Sequence, residues 1–451
     1  MQSLFSTLFF KIKDFELTPH RILLMSYLGV IILSSFLLYM PFSTTRDISY
    51  LDALFTATSA TTVTGLVVLD TEKDFTFVGK FIILLLIQLG GLGYMTFTTY
   101  FLIVLRRKLG LRDRLILAES FNYPGMHGLV RFVKRMIPIV FFIEFLGALA
   151  LFPYFLLHIM EPANAIFASL FHSVSAFNNA GFSTFSNNLM DFRGNFLVNL
   201  TVSFLVILGG IGFYVMYELI LYAKGELKRL STHTKLVLTS SFVLTLAGFL
   251  LLLIDLWSFK DLSFGEKIMV SLFHSISART AGFNTIDLLR LSEASQFILT
   301  NLMFVGASPG GTGGGIKTIT AVVVFLAVLS YIRGKQEVTV LGRRLINTQV
   351  HRAMVILSLA FAYCTFMAVL VAKVEGIELL PALFETVSAF ATVGLSLGSS
   401  LSLSADFSPF GKCLIILTMI TGRVGVLSFM LALVGKEKRS SVRLPEARLL
   451  I

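Results

Sequence analysis

The chain has 451 residues, is 55% hydrophobic and only 14% charged, and carries a formal net charge of +11. Soluble domains average about 25% charged residues, so this composition, with a mean hydropathy of +0.84, excludes a soluble enzyme or binding module and specifies an integral membrane protein. Nearly charge-free stretches of about 20 residues recur along it, the length a helix needs to cross about 30 Å of hydrocarbon.

Taken in chain order, spans are predicted at 22–42, 75–105, 137–158, 196–222, 236–254, 297–332, 353–372 and 410–434. The first is too long for a cleavable leader, and no small-residue cleavage motif follows it. Cys364 and Cys413 both fall within spans and are expected to be packed apolar residues, not a disulfide framework. With both termini cytoplasmic, the inner segments hold 25 Lys and Arg against 9 Asp and Glu, and the outer ones 10 against 16. That positive-inside bias sets the orientation and accounts for the net charge without nucleic acid. Basic loops such as Arg106-Arg107-Lys108 then have a membrane-surface role, with docking of a cytoplasmic partner as the alternative.

Between the spans of each pair lies a shorter segment: LFTATSATTVTGL at 54–66, LFHSVSAFNNAGF at 170–182, LFHSISARTAGF at 272–283 and LFETVSAFATVGL at 383–395. Each opens Leu-Phe, carries a Ser four residues after the Phe and closes on Gly and an apolar residue; the third is one residue shorter. Gly65, Gly181, Gly282 and Gly394 are spaced by 116, 101 and 112 residues. The spans that follow echo one another in Leu89-Gly90-Gly91-Leu92-Gly93, Leu208-Gly209-Gly210-Ile211-Gly212, Gly306 onward, and Thr421-Gly422-Arg423-Val424-Gly425. The chain therefore parses into a cytoplasmic N-terminus (1–21), repeat 1 (22–105), a cytoplasmic loop (106–135), repeat 2 (136–223), a loop (224–235), repeat 3 (236–332), a loop (333–352), repeat 4 (353–435) and a cytoplasmic C-terminus (436–451).

About 12 residues of helix reach only ~18 Å, too short to cross. Backbone that stops inside a bilayer must be buried in protein or line water. Four such ends satisfy this together by meeting on a central pseudo-fourfold axis. Their partially negative C-terminal ends then aim at the axis, and the extended residues after them offer carbonyl oxygens to a dehydrated cation. The filter candidates are Thr62-Val63-Thr64-Gly65, Asn178-Asn179-Ala180-Gly181, Arg279-Thr280-Ala281-Gly282 and Ala391-Thr392-Val393-Gly394, none containing a carboxylate. A divalent-ion filter would carry rings of Asp or Glu; neutral oxygen suits a large monovalent ion. The competing reading is helix–helix packing through small residues.

Residues 306–315, Gly306-Ala307-Ser308-Pro309-Gly310-Gly311-Thr312-Gly313-Gly314-Gly315, interrupt the long span of repeat 3. As helix this stretch would cost about 9 kcal/mol relative to Ala, so a loop at membrane depth is expected, facing the only water available there, beneath the filter. It is the candidate gate, together with Lys317 and the deeply placed Arg423, whose charge would raise a barrier to cations and whose donors would hold loop carbonyls. A kink that merely helps packing is the alternative. The resemblance of GGTGGGIKT to a nucleotide-binding phosphate loop fails because Ile316 separates Gly from Lys. Arg279 is expected to point behind the filter and brace it, and Glu144 to pair with a polar neighbour that the sequence does not name. His172 and His274 should form structural hydrogen bonds, no metal cluster being at ligand spacing. Asp70, Glu72 and Asp74 at the outer mouth could concentrate cations or be solvated surface charge.

The four filter segments, GASPGGTGGGIKT at 306–318 and GRVG at 422–425 together resemble the Trk/Ktr/HKT superfamily of potassium uptake proteins over essentially the whole chain, and most of all its Ktr-type membrane subunits. The resemblance implies an all-α membrane protein of four helix–pore helix/loop–helix units around one pore, a homodimer, and a cytoplasmic ring of nucleotide-binding regulatory subunits. It further implies K+ as the transported ion in the cell membrane, with dependence on or stimulation by Na+. In plant relatives, Ser in place of the first filter glycine goes with sodium permeation; Gly65 therefore favours potassium. The rival functions are a carrier for another cation or small solute built on the same repeats and a membrane-embedded enzyme, for which no nucleophile–base constellation is present.

Overall fold

A computed structural model describes residues 19–93, 128–159, 161–398 and 401–433. Unit 1 comprises α1 (Pro19–Tyr39), α2 (Tyr50–Thr61) and α3 (Phe77–Leu92); unit 2 comprises α4 (Leu129–Ile159), α5 (Pro162–Phe177), α6 (Phe196–Gly210) and α7 (Phe213–Ala223). Unit 3 comprises α8 (Thr232–Leu256), α9 (Phe264–Ser277), α10 (Glu293–Phe304) and α11 (Thr318–Ile332), followed by a small hairpin of β1 (Thr339–Val340) and β2 (Arg343–Arg344). Unit 4 comprises α12 (Asn347–Glu375), α13 (Leu379–Ala391), α14 (Pro409–Val424) and α15 (Val426–Leu433). The fold is all-α and matches the architecture that the hydropathy pattern predicts.

The first helix of every unit is the long one: α1, α4, α8 and α12 are each apolar enough to cross a membrane. All four leave large apolar side chains outside, Leu33 at 66% exposure, Phe142 at 60%, Phe242 at 67% and Phe361 at 64%. Such a surface is stable only against hydrocarbon. Helix ends are capped from within the chain: Ser49, Thr76, Asn195, Ser231, Ser263, Ser292 and Ser408 each accept from a first-turn N–H.

The second spans of units 2, 3 and 4 are not the continuous helices that hydropathy alone suggests. Predicted span 196–222 is α6 and α7 bent by 102°, and 410–434 is α14 and α15 bent by 103°. Span 297–332 is α10 and α11 separated by a non-helical segment. The two bends fall on the echoed glycines Gly212 and Gly425, at φ of +96° and +89°, and α3 ends at Gly93, at +77°, a conformation that costs glycine little and other residues much. Residues 94–105, the Arg106-Arg107-Lys108 loop and the C-terminus at 436–451 lie outside the described residues. Of the two cysteines, Cys364 is buried as expected, but Cys413 is exposed. It shares the outward face of α14 with Phe410 and Leu417, three and four residues away.

The first glycine of each echoed motif has a packing reason. A Cβ on Gly90 would overlap the Thr61 carbonyl oxygen, on Gly209 that of Phe177, and on Gly422 that of Phe390. The second helices of units 1, 2 and 4 thus rest on the carboxyl ends of their own units' short helices, where any side chain would hold them apart. Gly209→Ala or Gly422→Ala should therefore lower thermal stability in detergent, by the roughly 1–3 kcal/mol of an overpacked core. Gly29→Ala on α1, where a Cβ meets nothing within 4 Å, should leave the melting temperature unchanged or raise it.

Candidate functional site

The four short helices α2, α5, α9 and α13 end at residues that turn the chain out of helix into a buried segment. Two residues before each glycine the backbone is left-handed: Val63 at φ +50°, Asn179 at +55°, Thr280 at +91° and Thr392 at +51°. The glycines follow at +90°, +68°, +80° and +95°. Non-glycine residues in this region cost of the order of 1–3 kcal/mol each and persist only when surroundings over-determine them.

The repeated Ser supplies that determination. The Ser59, Ser175 and Ser388 carbonyls accept from the N–H of Thr64, Ala180 and Val393 at 2.8–2.9 Å; Ser277, in the shorter repeat, accepts from Ala281 at 2.8 Å. The hydroxyls add a second clasp in two forms. Ser59 and Ser388 accept from the Gly65 and Gly394 N–H at 3.1 and 3.0 Å. Ser175 and Ser277 instead donate to the carbonyls of Phe182 and Phe283 at 2.7 and 2.5 Å. The sequence flags this Ser by its recurrence but assigns it no task.

The four glycines meet. A Cβ on Gly65 would overlap the Ala180 carbonyl oxygen and lie 3.0 Å from Gly181 Cα; on Gly181 it would lie 2.9 Å from the Ala281 oxygen and 3.1 Å from Gly282 Cα. On Gly282 it would overlap the Val393 oxygen, and on Gly394 the Thr64 oxygen, 2.9 Å from Gly65 Cα. These contacts close a ring in the order of the units, and all four glycines line one open-mouthed cavity with Val67, Asp70, Ser183, Asn284 and Ser396. Among the described residues, the carbonyls of Thr64, Ala180, Ala281 and Val393 accept no hydrogen bond, although their residues are fully buried.

Residues 305–317 lie against the other side of this ring. The amide of Asn179 and the hydroxyl of Thr312 are hydrogen-bonded at 2.9 Å, and the Gly314 N–H donates to Thr392 Oγ1 at 2.8 Å. A Cβ on Gly306 or Gly313 would press on the Thr280 methyl, at 3.2 and 2.8 Å. Three of the four left-handed residues thus touch the glycine-rich segment. The segment is moored to the break after α6: Ser308 and Thr312 donate to the carbonyls of Gly210 and Gly209, Gly310 accepts from Phe213, and Pro309 lies against Gly212. Gly311 bonds back to Ser308, Ser308 also meets the Thr318 hydroxyl at 3.0 Å, and Gly310 and Gly315 adopt positive φ. Arg423 donates to the Thr312 carbonyl and to those of Gly90 and Gly91, and Lys317 donates to Gly313 at 2.6 Å.

The remaining polar residues sort by position. The Arg279 side chain leaves the ring for α8, donating to the Ser241 carbonyl and hydroxyl and to Thr245, so only its backbone remains with the candidate filter segment. His172 bonds Ser183 at 2.9 Å and His274 accepts from the Thr285 N–H at 3.4 Å. Glu385 stands at the same place after the Phe of unit 4, accepting from Ser396, the Ser404 N–H and the Ser404 hydroxyl. Each ties its short helix to the segment beyond the ring; nothing in one dimension marks the partners of Glu385. Of the mouth carboxylates, Asp70 lines the cavity and Asp74 is paired with Arg46 at 2.7 Å; Glu72 accepts from the Ser186 N–H at 2.7 Å. The partners of Glu144 are Gln88 and Asn178, at 3.1 and 3.0 Å. No group of three metal-ligating side chains occurs among the described residues.

Comparison with known proteins identifies the family. The model of the TrkH family, described as a cation transport protein, matches residues 17–442. The chain is 39% identical to the Ktr system potassium uptake protein B of Bacillus subtilis, over 96% of this chain and 97% of that one. It is 36% identical to the protein of the same name from Vibrio alginolyticus, over 94% and 93%. It is 32% identical to the potassium/sodium uptake protein NtpJ of Enterococcus hirae, over 97% and 98%. The crystal structure of the potassium transporter TrkH from Vibrio parahaemolyticus superposes with a TM-score of 0.73 at 21% identity, over 93% of this chain and 86% of that one, a likeness of fold.

The mooring by Arg423 is directly testable. In a background lacking Cys364 and Cys413, a cysteine at Ser308 should react with a water-soluble thiol reagent roughly tenfold faster when Arg423→Ala removes the charged donors from Thr312, Gly90 and Gly91. Equal rates would mean that the segment is held without this side chain.

Proposed function

The chain belongs to the TrkH family of cation transport proteins and, within it, to the Ktr-type potassium uptake subunits, and from that premise we propose that the glycine ring is a potassium filter and residues 306–315 its gate. The carrying observation is the set of four buried carbonyl oxygens, one from each unit, that find no donor among the described residues. Buried carbonyls normally have partners; a dehydrated alkali cation on the axis supplies one to all four at once. The oxygens of Thr62, Val63, Asn178, Asn179, Arg279, Thr280, Ala391 and Thr392 continue the same path. Neutral oxygens match the modest dehydration cost of K+, whereas a divalent ion would need carboxylates.

Beneath the filter the glycine-rich segment obstructs the path, and the charges of Arg423 and Lys317 oppose a cation arriving there. A flexible backbone tied by a few hydrogen bonds can move aside, which makes the obstruction a gate and not a wall. The positive-inside pattern supports cytoplasmic termini in the cell membrane, with the Asp70 mouth outside. A homodimer and a nucleotide-binding regulatory ring complete the assembly by family resemblance, as does stimulation by Na+, in keeping with the potassium/sodium name of one relative.

Expression in a host deficient in potassium uptake should restore uptake of K+ and Rb+, increased by external Na+. Arg423→Ala, or shortening of 308–314, should raise flux in purified vesicles, and Gly65→Ser should lower the preference for K+ over Na+. A folded, membrane-inserted protein that moves neither K+ nor Rb+ would overturn the filter; unchanged flux in both gate variants would overturn the gate.

A further inference from the structure

Glu144 lies within the long helix α4 at 2% exposure, and among the described residues it has no ion-pair partner. A carboxylate so placed is costly and usually functional. It closes a triangle of side chains from two units. Gln88 Nε2 on α3 donates to Glu144 Oε2 at 3.1 Å, Asn178 Nδ2 just after α5 donates to Glu144 Oε1 at 3.0 Å, and the same Asn178 nitrogen donates to Gln88 Oε1 at 3.0 Å. Both carboxylate oxygens accept. An amide in its place would set a donor against a donor, so the corner requires a group that only accepts.

The triangle touches the filter and the gate at once. Asn178 is the first residue of the unit 2 filter segment, and its neighbour Asn179 holds Thr312. Gln88 sits on the last turn of α3, whose Gly90 and Gly91 carbonyls are held by Arg423, which also holds Thr312. Gly91 packs so closely on Asn178 that a Cβ would overlap its amide. This turn is therefore gripped by a carboxylate from unit 2 on one side and a guanidinium from unit 4 on the other.

The next unit has the same frame with different chemistry. Ser173 donates to the Glu144 carbonyl at 2.5 Å, as Ser275 does to the Thr245 carbonyl at 2.7 Å. Arg279, three residues before its glycine as Asn178 is before Gly181, donates to Thr245 Oγ1. Ile207 precedes Leu-Gly-Gly where Gln88 does, and there it lines an apolar cavity with Arg279. The acid-and-two-amides corner is thus peculiar to the junction of units 1 and 2.

We propose that Glu144 is a positioning residue, setting the unit 2 quarter of the filter through Asn178 and coupling it to the glycine-rich segment through the last turn of α3. The proposal rests on the potassium-filter reading above. Its test uses an exchange that keeps every hydrogen bond: in the double variant Q88E/E144Q, residue 144 donates to residue 88, and Asn178 still donates to an oxygen on each.

Wild type, E144Q and Q88E/E144Q would be purified, reconstituted in vesicles and assayed for K+ and Na+ flux, with folding checked by size-exclusion profile and melting temperature. Wild type should prefer K+; if it shows no K+ flux, the filter reading itself falls, separately from this inference. E144Q should lose roughly tenfold in K+ over Na+ preference, the scale of an unmet buried donor pair, and the double variant should return to within about threefold of wild type. A shared but uncoupled packing role would lower yield and melting temperature without changing the ratio, and that result would overturn the proposal. So would a double variant as unselective as E144Q. Should E144Q fail to fold, Gln88→Leu cuts the two sides of the triangle that Gln88 forms, keeps the Asn178–Glu144 bond and must lower the ratio by a smaller factor; an unchanged ratio there would equally overturn it.

Discussion

The molecule is organised around carbonyl oxygens to which no described residue donates. In hydrocarbon every backbone group must be satisfied internally, and side-chain caps at seven helix starts serve that rule. At the ring the rule is suspended: among the described residues, the oxygens of Thr64, Ala180, Ala281 and Val393 converge with no N–H to meet them. Holding dipoles of like orientation together opposes their mutual repulsion, and left-handed backbone at Val63, Asn179, Thr280 and Thr392 adds strain. The recurrent serines, the carboxyl ends of the short helices and the second-helix glycines are the means by which the surrounding structure keeps this arrangement in place.

The fourfold plan is kept in the backbone and abandoned in the side chains. Each unit repeats a long helix, a short helix, a buried turn and a second helix, and in units 2, 3 and 4 that second helix is broken. The break has a distinct use in each of these three. In unit 2 it receives the glycine-rich segment, in unit 3 it becomes that segment, and in unit 4 it carries Arg423 where units 1 and 2 have glycine. The glycines of units 1 and 2 leave room for Asn178 and Asn179. The ring is built alike from all four units, whereas the glycine-rich segment packed against it comes from unit 3 alone, and the asymmetry of these breaks accommodates it.

Much of this was legible in one dimension. Hydropathy marked the long helices, and the four Leu-Phe…Ser…Gly segments marked the short ones and the ring, because a fold built by repetition writes its geometry into sequence spacing. The glycine-rich segment was legible as non-helical from helix propensity, and Arg279 as a brace from the cost of a charge on an ion path. The straightness of the second spans was misjudged at 196–222 and 410–434, since hydropathy records burial in lipid but not direction, and a single glycine at positive φ turns the chain by a right angle. Cys413 was misplaced for a related reason: membership of an apolar helix does not say which face is turned inward.

The sequence by itself determined the membrane class, the four repeats and the absence of carboxylates from the four ring segments, because composition and periodicity are local properties summed along the chain. Tertiary structure alone decided who meets whom. Arg423 finds Thr312 across 111 positions and Gly90 across 333, and Glu144 finds Gln88 across 56. Those pairings depend on how helices from different units pack around the axis, and a buried polar group reveals its partner only when that packing removes every alternative, water included.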